Sequence, residues 1–325
     1  MQTASILPAV SPARPSLPAP LIPCQPSHEP KSHASQEPAS QEHVLGQYIP
    51  LLYHYNMLHD EDRLSGFREA IELLVRPGMH VVELGGGTGI LSSFAARCGA
   101  VVSCVERNPA LVACAEKFVS ANGLADSITV IQADACRYVP AVPVDVVICE
   151  MLHVGLLREH QAQVITAFKQ NYTRAFGPRL PLFIPEASIL MAQAVEQSFD
   201  FAGYHAPVPL FQATLLHQPR TTEFSKLLPY ASIAYASNIP LEFDVRAELT
   251  STADGRVNAV RFVTQNVLAI DMQRERAITW PNQCLILPLD IPVDVSSGQP
   301  LELGFRYRAG GSVEGLSDTI CLGGS

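Results

Sequence analysis

The sequence predicts two structural classes in one chain: an α/β domain built on a parallel sheet, followed by a β-rich domain of antiparallel strands. Three observations carry this expectation. Apolar strands alternate with helical patterns over residues 79–150. A glycine-rich turn stands between the first of those strands and its helix. From about residue 186, helical periodicity gives way to short β-prone stretches broken by turn signals. The organisation expected is a Pro-rich tail over 1–42, an α/β domain over 43–185 and a β domain over 186–325.

Taken in order, residues 1–42 carry nine prolines among Ser, Ala, Gln and His. Proline removes amide donors and fixes φ, so an extended tail is expected there. From Tyr48 to Leu74 the pattern turns helical, with Met57, Leu58, Leu64, Phe67, Ile71 and Leu74 at three- and four-residue steps and charges between them. Pro77-Gly78 ends it. MHVVELGGGTG is then a short apolar strand entering a glycine turn, and ILSSFAARCGA a helix closed by glycine. VVSCVER and PALVACAEKFVSANG repeat the strand-helix unit, with Asn122-Gly123 as the stop. SITVIQAD and VDVVICE are a third and a fourth strand. Strands apolar on both faces imply a sheet covered on both sides. In the second half, ASILMAQAV, LEFDVRAEL, VNAVRFVTQNVLAI, QCLILPL and LELGFRYRA read as strands of a sandwich or barrel, punctuated by Ala253-Asp254-Gly255 and Ser297-Gly298.

The bulk numbers bound the function. Hydrophobic residues make up 47% and charged residues 16% of 325, which is a globular composition. A net charge of −9 argues against direct nucleic-acid binding and suits a site that draws cations. Eight cysteines include no CxxC pair and no histidine at zinc spacing, so small buried thiols in a reducing compartment are expected, and no metal site. No apolar run reaches the roughly 20 residues needed to cross a bilayer. Pro8, Pro12 and Pro15 interrupt the start, so no membrane association and a cytoplasmic location are expected.

Two constellations point to chemistry. In Glu83-Leu84-Gly85-Gly86-Gly87-Thr88-Gly89, glycines at alternate positions let backbone pass close to a ligand, and the helix amides behind them favour a polar or anionic group. The spacing is GxGxG, distinct from the GxGxxG of dinucleotide binders. Glu106, at the end of the second strand, is placed to accept from both ribose hydroxyls of a nucleoside, and Asp134, after the third, to receive an adenine amino group. These residues alone leave open some other nucleotide, and Glu106 and Asp134 as plain strand-end charges. The second constellation is Glu150 at the carboxyl edge of the sheet and Glu159 nine residues on, beyond Gly155. Two carboxylates returning to one pocket suit a guanidinium, whose planar fork they can bind bidentately. An ordinary edge residue and a solvated helix residue are the alternative for this pair.

Together these segments resemble the protein arginine methyltransferase family. Tyr48 with His54, Met57-Leu58, Asp60 and Arg63 resembles its N-terminal helix, which closes over the cofactor. VELGGGTGILSSFAARCGA resembles its cofactor loop, the Glu150/Glu159 pair its double-glutamate loop, and RLPLFIPEASILMAQAVE the strand leading into its β-barrel. The likeness covers roughly residues 45–325. It implies a Rossmann-like class I methyltransferase domain followed by a β-barrel or sandwich, with S-adenosyl-L-methionine as cofactor. By position, Arg63 would meet the methionyl carboxylate, and Glu83, Gly85, Gly87, Gly89, Glu106 and Asp134 would form the nucleoside site. Glu150 and Glu159 would grip the guanidinium of a protein or small-molecule substrate. Tyr48 would position one glutamate, Met57 would limit space near the methyl, and Trp280 would border the pocket. A homodimer is implied, with Phe199–Tyr230, including a helical fragment TTEFSKLLPYA, as its insert.

The sequence departs from the family in three places. Thr279 stands for the histidine of a Thr-His-Trp loop, Met151 for a bulky aromatic, and Asn56 for an acidic residue. All three changes cluster near the acceptor, so a lysine, a natural-product amine or hydroxyl, or a scaffold without turnover stay open beside arginine.

Overall fold

The structure is a computed structural model that describes residues 51–214 and 218–324. The sequence expectations for the 1–42 tail and for Tyr48 fall outside the described residues.

The helical pattern before the first strand resolves into two helices, α1 (Leu51–Met57) and α2 (Glu61–Leu74). The break is local chemistry: the Asp60 carboxylate accepts the Arg63 amide at 2.8 Å, capping α2 and starting a new axis. A single helix over this stretch is therefore corrected to two. The inner face of α2 buries Phe67, Ala70 and Ile71 completely, worth about 1.5–3 kcal/mol for each large side chain.

The first sheet follows. β1 (His80–Leu84), β2 (Val101–Glu106), β3 (Ile128–Gln132), β4 (Val146–Cys149) and β5 (Leu182–Ile184) lie in the order β3-β2-β1-β4-β5, every neighbouring pair parallel. Helices α3 (Ile90–Arg97), α4 (Pro109–Ala121) and α5 (Gln161–Phe176) make the crossovers. Val146, Val147, Ile148 and Cys149 of β4 are wholly buried, as a central parallel strand requires. The edge strand β3 is more open, and Asp134 sits two residues beyond its end. The chain steps outward from β1 through β3 and then returns to the other side of β1 for β4. That reversal opens a crevice at the carboxyl ends of β1 and β4, where ligands of such sheets bind.

The second half is antiparallel. β6 (Ala187–Gln197), β13 (Gly255–Asp271) and β15 (Cys284–Val295) are the long strands of a sheet that also takes β9 (Leu210–Gln212), β10 (Thr221–Glu223), β11 (Leu228–Ala234) and β14 (Arg276–Pro281). β12 (Glu242–Thr250), β16 (Pro300–Arg308) and β17 (Cys321–Gly324) form a three-stranded sheet, and the short helix α6 (Val313–Ser317) precedes β17. β7 (Asp200–Phe201) and β8 (Tyr204–His205) make a separate hairpin. The fragment TTEFSKLLPYA is not helical: Thr221–Glu223 pairs with β6, Phe224 is buried, and the chain re-enters the same sheet as β11. Sheet pairing there overrides the local periodicity.

The described cysteines are all unpaired. Cys104, Cys149 and Cys284 are buried, Cys98, Cys114 and Cys136 are half-buried and Cys321 is exposed. Among the described residues no helix is long and apolar enough to cross a membrane.

Candidate active site

Two adjoining cavities occupy the crevice. The smaller, about 280 Å³, runs from the glycine turn past Glu106 and Asp134 to Glu150 and Glu159. The larger, about 770 Å³, lies between α1, the segment after β4 and the β13–β15 sheet. Met57, Arg63, Glu150 and Glu159 line both, so they form the junction.

The glycine turn is built by left-handed backbone. Gly85, Gly87 and Gly89 have φ of 75°, 54° and 79°. A Cβ on Gly85 would stand 3.0 Å from the Met151 sulfur, and one on Gly87 would stand 3.1 Å from His54 Nδ1. Side chains there would fill the cradle. Glu106 braces the turn, accepting the Gly87 amide at 3.0 Å and the Asn108 amide at 2.7 Å. Each oxygen keeps a second lone pair for a ligand hydroxyl. Glu83 is buried beneath the turn, accepting the Ser92 amide at 2.8 Å and its hydroxyl. Burial raises its pKa to about 7, and its hydrogen bonds from Ser92 anchor the start of α3. Asp134 lines the same cavity and accepts the Cys136 amide at 2.9 Å through Oδ1.

Glu150 follows the last residue of β4. Its orientation is set by Gln161, the first residue of α5, which donates to the Cys149 carbonyl at 2.7 Å and accepts the Met151 amide at 2.9 Å. The amide side chain thus clamps backbone on both sides of Glu150. Gln161 is buried and was not singled out in the sequence. The helix beginning there was not either, although Ala162, Ile165, Phe168 and Tyr172 carry its period.

Between the glutamates the backbone is contorted. Gly155, Leu156 and Arg158, and His160 just past Glu159, all take positive φ, near 60°, a conformation that costs non-glycine residues and persists only when surroundings enforce it. Here the β domain does so. Thr264 Oγ1 accepts the Gly155 amide at 2.8 Å, Asn282 Nδ2 donates to the Leu152 carbonyl at 2.9 Å, and Gly310 and Gly311 bond to Leu156 and Arg158. The excursion returns Glu159 to the junction with Glu150. Burial, reinforced by Glu150, raises the Glu159 pKa to about 8.

Arg63 donates to Glu150 Oε2 through Nε at 3.0 Å and through Nη2. Its Nη1 is buried without a hydrogen-bond partner among the described residues. The expected cofactor ligand is therefore found holding the expected acceptor ligand, with one donor unspent. An unsatisfied guanidinium nitrogen beside the glycine cradle fits a carboxylate-bearing nucleoside. Gln163 adds a second orphan, its buried Oε1.

The larger cavity brings in Trp280, buried on β14 against Phe67 with ring centroids 6.1 Å apart. Two wall residues escaped sequence reasoning. Burial and the two glutamates raise the Tyr53 pKa to about 12. His153 packs edge-on to Phe211, and burial lowers its pKa to about 4, so its imidazole is neutral.

Comparison with known proteins agrees with this fold. Residues 81–172 match the family described as "Methyltransferase domain". The chain is 31% identical to an uncharacterized protein of Methanothermobacter thermautotrophicus, over 82% of this chain and 97% of that one. It is 27% identical to the arginine N(omega)-methyltransferase of Streptomyces achromogenes subsp. streptozoticus, over 77% of this chain and 74% of that one. A solved structure, the Trypanosoma brucei PRMT1 enzyme-prozyme heterotetrameric complex with AdoHcy, shares its fold at a TM-score of 0.66 and 18% identity. That alignment covers 84% of this chain and 96% of the solved one.

Proposed function

Because the chain belongs to the protein arginine methyltransferase family of S-adenosylmethionine-dependent methyltransferases, we propose that it methylates a guanidinium nitrogen, in a protein or in a free arginine-like metabolite. One observation supports this above the rest. Glu150 and Glu159 stand together where the nucleoside-sized cavity opens into the larger one.

Bound S-adenosylmethionine supplies an electrophilic methyl on a sulfonium. Gly85, Gly87 and Glu106 would hold its ribose, Asp134 and Gln163 would take its adenine amino group, and Arg63 Nη1 would take its carboxylate. Glu83 and Gly89 keep the turn and the start of α3 in place. Glu150 and Glu159 accept hydrogen bonds from the acceptor guanidinium and draw its positive charge away from the attacking nitrogen. Alignment then supplies most of the rate. The alkylated nitrogen must release a proton, and Glu159, with its raised pKa, is the carboxylate suited to receive it. Met57 and Trp280 restrict the acceptor's approach, and Tyr48 keeps its expected role of positioning one glutamate.

The decisive assay supplies isotopically labelled cofactor with free arginine, arginine-rich peptides and lysine peptides. Label on guanidinium nitrogen, located by mass spectrometry, is the result expected; label on lysine would refute the acceptor class. We further propose a division of the chain near residues 185–186 and a homodimer formed through the Phe199–Tyr230 region. The exposed Tyr204 and Phe201 of the β7–β8 hairpin support that surface. Light scattering should give twice the chain mass, and a monomer at micromolar concentration would contradict it.

A further inference from the structure

The larger cavity is lined by a cation that forms no ion pair with either glutamate. Arg158 lines that cavity and not the smaller one, on the far side of the junction from the glycine cradle. The described ion pairs include none made by Arg158, although Glu159 is its neighbour in sequence. Its charge is felt at Glu159, Tyr53 and His153, the groups that ring the cavity beyond the glutamates.

The backbone there is committed to this placement. Arg158 takes a φ of 63°, and its amide donates to the Gly311 carbonyl at 3.0 Å. A strained, tethered residue whose guanidinium lines a cavity and makes no ion pair among the described residues is poised for an anion. The cavity otherwise leans acidic, with Asp60, Asp62, Glu150 and Glu159 in its walls. A purely cationic acceptor would meet repulsion from Arg158 and gain nothing from it. An acceptor with a guanidinium at one end and a carboxylate at the other satisfies both signs.

We propose that Arg158 is a carboxylate subsite, and that the acceptor is a free guanidino amino acid whose α-carboxylate pairs with it. This rests on the guanidinium reading above and narrows its substrate class. The neutral His153 imidazole beside it can exchange a hydrogen bond with the same carboxylate without adding charge.

The test compares three small acceptors: arginine, argininamide, in which the carboxylate is a neutral amide, and agmatine, which lacks it. Each is measured for methyl transfer and, separately, for binding by calorimetry to the complex with S-adenosylhomocysteine. The general field of an acidic protein favours the two more positive analogues, so a preference for arginine must come from a local cation. Arginine should exceed both by roughly ten- to a hundredfold in affinity and in kcat/KM, as a charge-assisted hydrogen bond allows. Arg158→Gln should bring the arginine-to-argininamide ratio to near one, and Arg158→Lys should keep part of it.

A wild-type ratio near one, or tighter use of an internal peptide arginine than of free arginine, would overturn the subsite while leaving guanidinium methylation standing. So would a ratio unchanged in Arg158→Gln. Transfer to lysine alone, with none of the three guanidines accepted, would remove the acceptor class and the subsite together.

Discussion

At the scale of the residue, the pairing of Arg63 with Glu150 is the most consequential contact. Both side chains are buried, and one carboxylate oxygen receives two guanidinium donors. Breaking such a pair by removing one partner leaves a charge stranded. In the cofactor-free protein Glu150→Gln should therefore lower the melting temperature. Cofactor binding should be retained or tightened, because Glu150 no longer competes for Arg63. Turnover should fall about 10²–10³-fold, the usual cost of losing one preorganised electrostatic contact; normal turnover would remove the proposed role. Glu159 makes a pH prediction. Its folded pKa lies near 8, above the ordinary carboxylate value, so below pH 8 the free enzyme holds it protonated. kcat/KM for a cationic acceptor should rise with pH and level off above about 8, and Glu159→Gln should lose that limb. The same group contributes stability below the ordinary carboxylate range, and that contribution is lost as pH rises through about 8. Gln161 acts through others. Gln161→Leu should lower kcat while leaving cofactor affinity nearly unchanged, because it frees the backbone flanking Glu150 and touches neither ligand; Gln161→Glu, which keeps the acceptor for the Met151 amide, should recover part of the loss.

At the scale of the element, the segment between β4 and α5 joins both halves of the chain. Its two glutamates leave the parallel sheet, yet the backbone between them is held by Thr264, Asn282, Gly310 and Gly311 of the β half. Thr264→Val keeps the shape and removes the acceptor for a buried amide, a loss of about 1–3 kcal/mol. Turnover should fall with it, and a stability loss without any change in kcat would show that the loop holds its geometry unaided. The elements differ in how legible they were. β1 to β4 and the long strands β6, β12, β13, β15 and β16 could be read from apolar runs and turn residues, because burial sets those patterns locally. β10 and β11 could not, because sheet pairing overrides the helical look of TTEFSKLLPYA. The split between α1 and α2 turned on one Asp60 side chain. α5 carries a readable period in Ala162, Ile165, Phe168 and Tyr172, but its polar first turn hides where it starts. Glu150 and Glu159 were legible as a pair, whereas Gln161, Tyr53 and His153 matter only through tertiary contacts that spacing does not encode.

At the scale of the whole molecule, the parallel sheet shapes the smaller cavity, proposed for the nucleoside, and the antiparallel half closes the larger one, proposed for the acceptor. The site exists only where they meet. A ligand that binds only the folded chain stabilises it, so S-adenosylhomocysteine at a hundred times its Kd should raise the stability by about 2.7 kcal/mol. Absence of any melting shift at saturation would place the cofactor elsewhere. In the proposed reaction Arg63 Nη1 takes the cofactor carboxylate, and Glu150 and Glu159 hold the acceptor guanidinium between them. A crystal structure of the ternary complex with S-adenosylhomocysteine and arginine tests this most directly. Arg63 on the cofactor carboxylate, with both glutamate carboxylates on the acceptor's planar group and facing the sulfur, is the arrangement expected. A cofactor carboxylate held away from Arg63, with Glu159 turned to bulk water, would contradict this.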